Sequence, residues 1–361
     1  MPDFFPEPEF EHPRPLKIGV LLINLGTPEA PTARALRPYL RQFLSDRRVI
    51  EIPRVLWSIL LNTVILPFRP RQSAKKYAQI WTAEGSPLAV NTRALTDALR
   101  NSLTARGHAL VVEYAMRYGT PSVSNTIRAM RAQGVDRLLA IPLYPQYAAS
   151  SSGSALDAVY HTLVRLRNMP ALRTVRHFHD YPPYIDALAQ HIRAYWTQHG
   201  GPAEKLVLSF HGVPHFTVTR GDPYYAECQQ TVRRLTAALD LPPERVILCF
   251  QSRFGRTEWL KPYTTEVLAE LGRQGCASID MICPGFVADC LETLEEIAIE
   301  GRQLFSAHGG GNYRYIPCLN MESYWIDALA ELTEQHLTGW VIPQDANPQQ
   351  EKMPLENNRV L

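Results

Sequence analysis

The segment IGVLLINL, Ile18–Leu25, decides the fold class of this chain. It is an almost continuous apolar run, which is typical of a parallel strand covered on both faces. It ends in Gly26-Thr27-Pro28, a turn that leads into a helical pattern from about Pro31 to Leu44. This strand, turn and helix predict an α/β protein.

Strand and helix patterns alternate along the rest of the chain, which predicts parallel sheets flanked by helices. Strands are expected at 110–116, 137–143, 172–178, 205–210, 245–251, 278–283 and 313–317. The longer helices are expected at 90–105, 123–132, 155–166, 184–198, 224–239, 263–272, 287–305 and 322–336.

The two halves of the chain resemble each other weakly. LINLGTP (Leu22–Pro28) is similar to LSFHGVP (Leu208–Pro214), and AMRYG (Ala115–Gly119) is similar to QSRFG (Gln251–Gly255). These matches leave two interpretations open, a duplicated pair of Rossmann-like lobes or chance. In such sheets a ligand lies beyond the carboxyl ends of the strands.

Composition excludes several classes of protein. At about 100–200 residues per domain, 361 residues suggest two domains, and 45% apolar residues provide for a large core. A net charge of +2 lacks the basic excess of a nucleic-acid binder. Six cysteines are too few for a disulfide scaffold. The Pro-rich start has no secretory signal and no apolar run is long enough to span a membrane, so we expect a cytoplasmic protein.

His211 and the acidic residues after Pro284-Gly285 are the first candidates for chemistry. His211 ends a predicted strand, where it could act as a base or metal ligand, or simply cap a turn. His215 follows too closely after Pro214 to form the helical pair of a zinc protease. Asp289, Glu292, Glu296 and Glu300 recur at helical spacing without basic partners nearby in sequence. Such a row is either a solvated face or a path for cations or protons.

Three other segments give weaker indications. Ser150–Ser154 precedes a helix and favours an anion-binding loop over a linker. Leu56–Phe68 is apolar and is flanked by basic residues, Arg54 before it and Arg69, Arg71, Lys75 and Lys76 after it. This segment is either a core helix or an exposed apolar lip. The cysteines form no CxxC pair and are expected to be structural, and no nucleotide-binding motif is present.

Six motifs in order resemble those of the ferrochelatase family, from Leu21 to Asn320. They are LLINLGTP, YPQYAASSSGSA, SFHGVP, QSRFGRTEWLKPYT, CPGFVADCLETLEEI and CLN. The resemblance implies two Rossmann-like lobes, each with a parallel β-sheet flanked by helices, and a porphyrin cleft between them. It implies an ATP-independent lyase that inserts Fe²⁺ into protoporphyrin IX with release of two protons, giving protohaem in the last step of haem biosynthesis.

The resemblance also assigns site residues. His211 and Glu292 match the catalytic and metal-site pair, and the acidic row continues through Glu296 and Glu300, with Asp289 before it. The porphyrin pocket is expected to be lined by Leu25, Arg117, Tyr144, Ser252 and Trp259. No cysteine follows Cys318 and YPQYAA has alanine where cluster-bearing animal enzymes have cysteine, so no iron–sulfur cluster is expected.

These patterns together predict the domain organisation. We expect a flexible leader at 1–16, a first lobe at 17–165 with an apolar lip at 50–70, a second lobe at 166–320, a C-terminal helix at 321–342 that returns to the first lobe, and a mobile tail at 343–361. The lip would allow weak peripheral contact with the cytoplasmic face of the inner membrane. Alternatives are a chelatase for another metal or tetrapyrrole, and a non-catalytic two-lobed protein that binds haem or another anion.

Overall fold

The apolar segment that opens the chain is a central strand of a parallel sheet. In the computed structural model, which describes residues 4–7, 17–255 and 257–340, β1 is Lys17–Gly26 and residues Val20–Ile23 are fully buried. The sheet has the order β2-β1-β3-β4, with β2 Val111–Tyr118, β3 Val135–Pro142 and β4 Ala171–Thr174. Its lobe contains α1 Ala33–Leu44, α2 Arg54–Leu60, α3 Leu66–Ile80, α4 Pro87–Ala105, α5 Val123–Ala132 and α6 Ser154–Leu163.

A second parallel sheet follows along the chain. Its strands are β5 Lys205–His211, β6 Val246–Gln251, β7 Ser278–Ile282 and β8 Asn312–Tyr315, in the order β6-β5-β7-β8. The remaining α-helices are α7 Pro182–Gln198, α8 His215–Thr219, α9 Tyr224–Leu239, α10 Thr264–Arg273, α11 Arg302–Ala307 and α12 Ser323–Leu337. Three π-helical segments, Leu61–Ile65, Ala149–Gly153 and Glu292–Gly301, and a 3₁₀ turn, Pro243–Arg245, complete the described elements.

Both sheets have the same strand order, which confirms the prediction of two Rossmann-like lobes. The first strand of each lobe lies between the second and the third, and all the pairs are parallel. The similar sequences LINLGTP and LSFHGVP therefore occupy equivalent positions in the two lobes, since Gly26 ends β1 and Gly212 follows β5.

The boundary predicted between residues 165 and 166 is wrong. β4 pairs with β3 of the first sheet, from Arg137 opposite Ala171 to Ala140 opposite Thr174. A short edge strand carries no local signal of the sheet that it joins, so sequence alone assigned it to the second half. The first sheet extends to Thr174.

One apolar core joins the lobes. It contains Leu22 of β1, Leu208 of β5 and Trp325 of α12, and α12 packs against both α4 and α7. At the surface, Arg106 at the end of α4 pairs with Glu334 at 3.0 Å. The C-terminal helix thus lies against the first lobe.

Part of the segment expected to be a flexible leader packs against the first lobe. The Phe5 amide donates to the Arg165 carbonyl at 2.9 Å, and the Arg165 guanidinium lies 4.0 Å from the centre of the Phe5 ring. Phe4–Glu7 are therefore held in place, which the sequence did not indicate. The predicted tail at 343–361 lies outside the described residues.

Within the described ranges, every helix is too short or too polar to cross a bilayer.

Candidate active site

The carboxyl ends of the two sheets meet between the lobes. Leu25, near the end of β1, packs with Leu88 at the start of α4 and with Phe286, Ala288 and Cys290 from the loop after β7. Parallel strands present their carboxyl ends at one edge, where ligands bind in α/β folds. The predicted site residues from both lobes converge on this region.

His211 ends β5 at this edge and is half-buried. The Tyr224 hydroxyl donates to its backbone carbonyl at 2.8 Å, and its ring stands edge-on to Phe286 with centroids 6.3 Å apart. Its imidazole makes no hydrogen bond within the described part of the chain. A side chain that is held through its backbone and has free ring nitrogens can accept a proton or bind a metal ion.

Trp259 packs directly on the turn after His211. A Cβ added at Gly212 would come within 3.1 Å of the Trp259 ring and 2.8 Å of the Gln251 carbonyl oxygen, so only glycine permits this contact. The indole Nε1 is buried and makes no hydrogen bond to any residue that the structure describes.

Gln251 connects His211 to Glu292. Gln251 ends β6 directly opposite His211 and donates through Nε2 to the Glu292 backbone carbonyl at 2.8 Å. Glu292 is half-buried at the start of the π-helix. π-Helical turns are rare and are often found at functional sites.

The Glu292 side chain is close to buried tyrosines of the first lobe. Burial raises the pKa of Tyr77, and the negative charge of Glu292 raises it further. The pKa of Tyr39 is raised by burial first, and Glu292 again contributes. Sequence reasoning missed both tyrosines and Gln251. Gln251 carried a usable signal, because it is polar at the end of an apolar strand.

Glu296 is held by the loop after β6. It accepts hydrogen bonds from the Ser252 backbone amide at 2.6 Å and from the Ser252 hydroxyl. Ser252 has a φ of +64°, which is uncommon for a residue other than glycine and is typical of a functional constraint.

The acidic row has no basic partner nearby in sequence, but the expectation that it lacks such partners altogether is wrong. Lys76 of α3 lies 2.9 Å from Glu295 and 2.8 Å from Glu300. Glu295, which is not part of the predicted row, is 3% exposed, while Glu300 is 50% exposed. Burial raises the pKa of Glu295 although Lys76 lowers it. The row therefore runs from half-buried Glu292 to the surface at Glu300.

Asp289 does not belong to this row. The chain is not yet helical there, and the buried carboxylate accepts from Tyr315 Oη at 2.5 Å, Asn320 Nδ2 at 2.7 Å and Thr293 Oγ1 at 3.0 Å. The α-helical spacing assumed from the sequence does not hold, because the chain is not helical before Leu291 and Glu292–Gly301 is π-helical. Asp289 fixes the loop after β7 to the segment after β8.

The predicted anion site at Ser150–Ser154 is also wrong. The segment continues a π-helix into α6, and the amides of Ser151 and Gly153 bond to the Ala148 carbonyl. The backbone amide of Ala149 donates a hydrogen bond at 2.7 Å to the carboxylate of Asp222, which belongs to the second lobe. Asp222 therefore occupies the place at this turn that an external anion was expected to take.

Arg117, one of the predicted porphyrin contacts, is hydrogen-bonded to other residues of the protein. Its Nε donates to Ser154 Oγ at 2.7 Å, and its guanidinium pairs with Asp46. Tyr144 lies nearby, with a buried hydroxyl that makes no hydrogen bond. Leu25, Tyr144, Ser252 and Trp259 thus lie around the edge that carries His211, and Arg117 supports this wall.

The Asp46 ion pair gives a stability prediction. Burial raises the pKa of Asp46, but hydrogen bonds from Ser154, the Arg48 amide and Tyr118, with the charge of Arg117, outweigh it, so the net pKa is lowered. We expect Asp46→Asn to reduce the free energy of unfolding by about 3 kcal/mol at pH 7. A depressed pKa means that this contribution is lost as the pH falls below the unfolded value of about 4.

Chemical denaturation at pH 7 and pH 3 measures the effect. Asp97→Asn is the control, since Asp97 pairs with Arg100 in an exposed position and should contribute less than about 0.5 kcal/mol. An equal loss for Asp46→Asn at both pH values would contradict the ionic origin of the effect.

The apolar lip has one buried and one exposed face. Trp57 and Leu61 are 8% and 3% exposed, and Trp57 Nε1 donates to the Leu44 carbonyl at 2.6 Å. Leu56, Ile59 and Phe68 are 66%, 58% and 67% exposed. One face of the segment is therefore buried, as expected for a core helix, and the other is exposed, as expected for an apolar lip.

The lip also approaches the second lobe. The Arg69 guanidinium lies 4.3 Å from the centre of the Phe254 ring, in the loop that holds Glu296. Burial lowers the pKa of Arg69.

Known proteins resemble this chain in sequence and in fold. The model of the ferrochelatase family matches residues 17–337. Ferrochelatases of Chromobacterium violaceum and Nitrosomonas europaea are 61% and 55% identical to it over 341 residues, covering 94% of this chain and 93% of each relative. The solved structure of SirB from Bacillus subtilis with Fe³⁺ has a TM-score of 0.53 at 14% identity, covering 90% of this chain and 98% of SirB. This last likeness concerns the fold alone.

Proposed function

The chain belongs to the ferrochelatase family, and from that premise we propose that it inserts Fe²⁺ into protoporphyrin IX at His211 and Glu292. As a member of this family it is a lyase that inserts iron into a porphyrin without ATP. The proposal concerns the substrate and the residues that carry the reaction.

The observation that supports this assignment is the position of Gln251. It lies opposite His211 and donates to the Glu292 backbone, so the two candidate groups are held at one sheet edge. On the other side of this edge lie the buried tyrosines of the first lobe, close to the Glu292 carboxylate.

The reaction needs a metal ligand and a proton acceptor. Two pyrrole N–H bonds break as Fe²⁺ binds the four nitrogens, so the charge of the entering ion is balanced by two departing protons. His211 would hold the iron or accept a proton, since its ring nitrogens are free. Glu292 would take the other role, and Glu296 and Glu300 would lead protons or iron between the cleft and the surface.

The residues around the carboxyl edge near His211 suit a flat, largely apolar ligand. Leu25 and Trp259 offer apolar surface, and the buried Trp259 Nε1 and Tyr144 Oη are donors without a hydrogen-bond partner among the described residues. Buried polar groups are normally hydrogen-bonded, so a ligand bound at this edge would supply the missing partners. Ser252 would act mainly through Glu296.

An anaerobic absorbance assay tests the function. Fe²⁺ is mixed with the protein and protoporphyrin IX without nucleotide, and conversion of the free porphyrin spectrum is followed; coproporphyrin serves as the competing substrate. Faster insertion of Co²⁺ or Ni²⁺ would favour another chelatase activity, and haem binding without insertion would favour a non-catalytic binding protein.

We also propose that the enzyme carries no iron–sulfur cluster. All six cysteines are buried, and burial raises the pKa of each thiol, to about 12 for Cys249. A cluster needs several cysteine thiolates in one place, and no three cysteines come together among the described residues.

Weak membrane contact through the exposed lip face completes the proposal. Leu56, Ile59 and Phe68 form an exposed apolar surface, and Arg54 and Arg71 are exposed beside it. Such a surface suits reversible binding to anionic lipid. Lys76, one of the basic residues noted in the sequence, is engaged with Glu295 and Glu300 instead.

We expect the triple variant Leu56→Ser, Ile59→Ser, Phe68→Ser to bind phosphatidylglycerol vesicles at least about 10-fold more weakly, because each apolar side chain contributes about 1.5–3 kcal/mol when buried. Its free energy of unfolding should stay close to that of the wild type. Vesicle sedimentation and thermal unfolding measure the two effects.

The matched variant Trp57→Ser, Leu61→Ser alters the buried face and should lose several kcal/mol of stability, since each large-to-small core change costs about 2–5 kcal/mol. Wild-type vesicle binding by the triple variant would show that the exposed face does not contact lipid.

A further inference from the structure

Two histidines and a glutamate form a second cluster outside the proposed active site. His177 and His179 follow β4 of the first lobe, and Glu227 lies on α9 of the second. Phe178 between the histidines is buried in the core, so His177 and His179 share the opposite side of the segment. One ligand atom from each of the three residues lies within 4.8 Å of the others.

The cluster has close polar contacts. Glu227 Oε1 lies 2.7 Å from His177 Nδ1, and Glu227 Oε2 lies 3.3 Å from His179 Nδ1. Oε2 also accepts from the Tyr147 amide at 2.7 Å. Glu227 and His179 side chains are only 8% and 5% exposed, whereas His177 is 37% exposed. The cluster is therefore fixed on one side and open to solvent on the other.

The hydrogen bonds among the described residues around His179 use only one of its two ring nitrogens. Gln230 donates through Nε2 to Asp180 at 2.8 Å, which turns its amide oxygen toward His179 Nε2 at 3.2 Å. His179 Nε2 therefore donates to Gln230, and in the neutral ring the lone pair of Nδ1 faces the Glu227 carboxylate. This buried Nδ1 makes no hydrogen bond to any described residue. In the neutral ring two acceptors lie 3.3 Å apart, an arrangement that a proton or a metal cation would stabilise.

We propose that His177, His179 and Glu227 bind a divalent transition-metal ion such as Zn²⁺ or Co²⁺. Two imidazoles and one carboxylate suit these metals rather than Mg²⁺ or Ca²⁺. Gln230 is the outer partner that orients His179, as metal-binding histidines usually require. Metal–ligand distances of about 2.0–2.2 Å are compatible with three ligand atoms that lie within 4.8 Å of one another.

The site links the two lobes beside the proposed active site. Glu227 lies one turn after Tyr224 on α9, and Tyr224 donates to the His211 carbonyl. A metal ion bound there would fix the segment after β4 to the helix that supports His211. It is distinct from His211 and Glu292, since none of the three ligands belongs to that pair.

Cobalt binding in a His211→Ala background tests the proposal. The full chain is stripped with chelator and titrated with Co²⁺, with visible absorption and metal analysis as readouts. We expect His211→Ala to retain one Co²⁺ per chain. Adding His177→Ala should weaken binding at least about 100-fold, and adding Gln230→Leu about 10–100-fold. Adding His161→Ala, at an exposed histidine elsewhere, should have no effect.

His177 is the primary variant because its side chain is partly exposed and its removal should not prevent folding. No Co²⁺ bound by His211→Ala would show that the cluster holds only a proton. Unchanged affinity after His177→Ala or Gln230→Leu would equally overturn the proposal.

Discussion

Replacing His211 with alanine is expected to slow iron insertion by at least about 1000-fold, or roughly 4 kcal/mol in the activation barrier, while the protein remains folded. The imidazole lies at the end of β5 against Phe286, and the turn that follows it packs on Trp259. Because no described residue hydrogen-bonds to the ring, its removal leaves no buried partner unsatisfied. The loss should therefore appear in the turnover number, not in stability.

Anaerobic turnover and thermal unfolding measure these two quantities, and porphyrin binding should survive in the variant. His215→Ala is the matched control, since His215 is exposed on α8 only four residues further on. If His211→Ala retained a rate within about tenfold of the wild type, a barrier change of roughly 1.4 kcal/mol, His211 would not be the catalytic residue.

Glu292→Gln is expected to reduce the insertion rate by at least about 100-fold, which is roughly 3 kcal/mol. The substitution keeps the size of the side chain and removes its charge and its ability to take a proton. The insertion rate is the measurement, and thermal unfolding shows whether the variant remains folded.

Glu266→Gln is the control for this variant, because Glu266 is exposed on α10. Glu295 is unsuitable as a control because it is buried against Lys76. Equal losses for Glu292→Gln and Glu266→Gln would mean that the acidic row is only a charged surface.

Much of the fold could be predicted because its signals are local. The apolar run at Ile18–Leu25 is the core of β1, and helices predicted at 123–132 and 224–239 have those bounds in the structure. The sheet that β4 joins depends on pairing with β3, which no local pattern encodes.

The candidate site shows the same division. His211 is predicted from its place at the end of an apolar strand and Glu292 from the spacing of carboxylates, and both lie at the carboxyl edge of the second sheet. The partners of the acidic row were missed because Lys76 is 219 residues away from Glu295 in sequence. Asp222 was missed at the Ser-rich turn for the same reason, since it comes from the other lobe.

The lip shows why apolar composition alone does not settle burial. Trp57 and Leu61 face the core while Leu56 and Ile59 face solvent, within one helical segment. In the sequence all four have the same apolar character, and the helix shows which pairs share a face.

Anaerobic diffraction at the iron absorption edge, on crystals soaked with Fe²⁺, tests the proposed site most directly. We expect an anomalous peak roughly 2 Å from an imidazole nitrogen of His211, on the side that faces Glu292. Iron bound only elsewhere, for instance only between His177, His179 and Glu227, with none at His211, would contradict the assignment of His211 and Glu292 as the place of insertion.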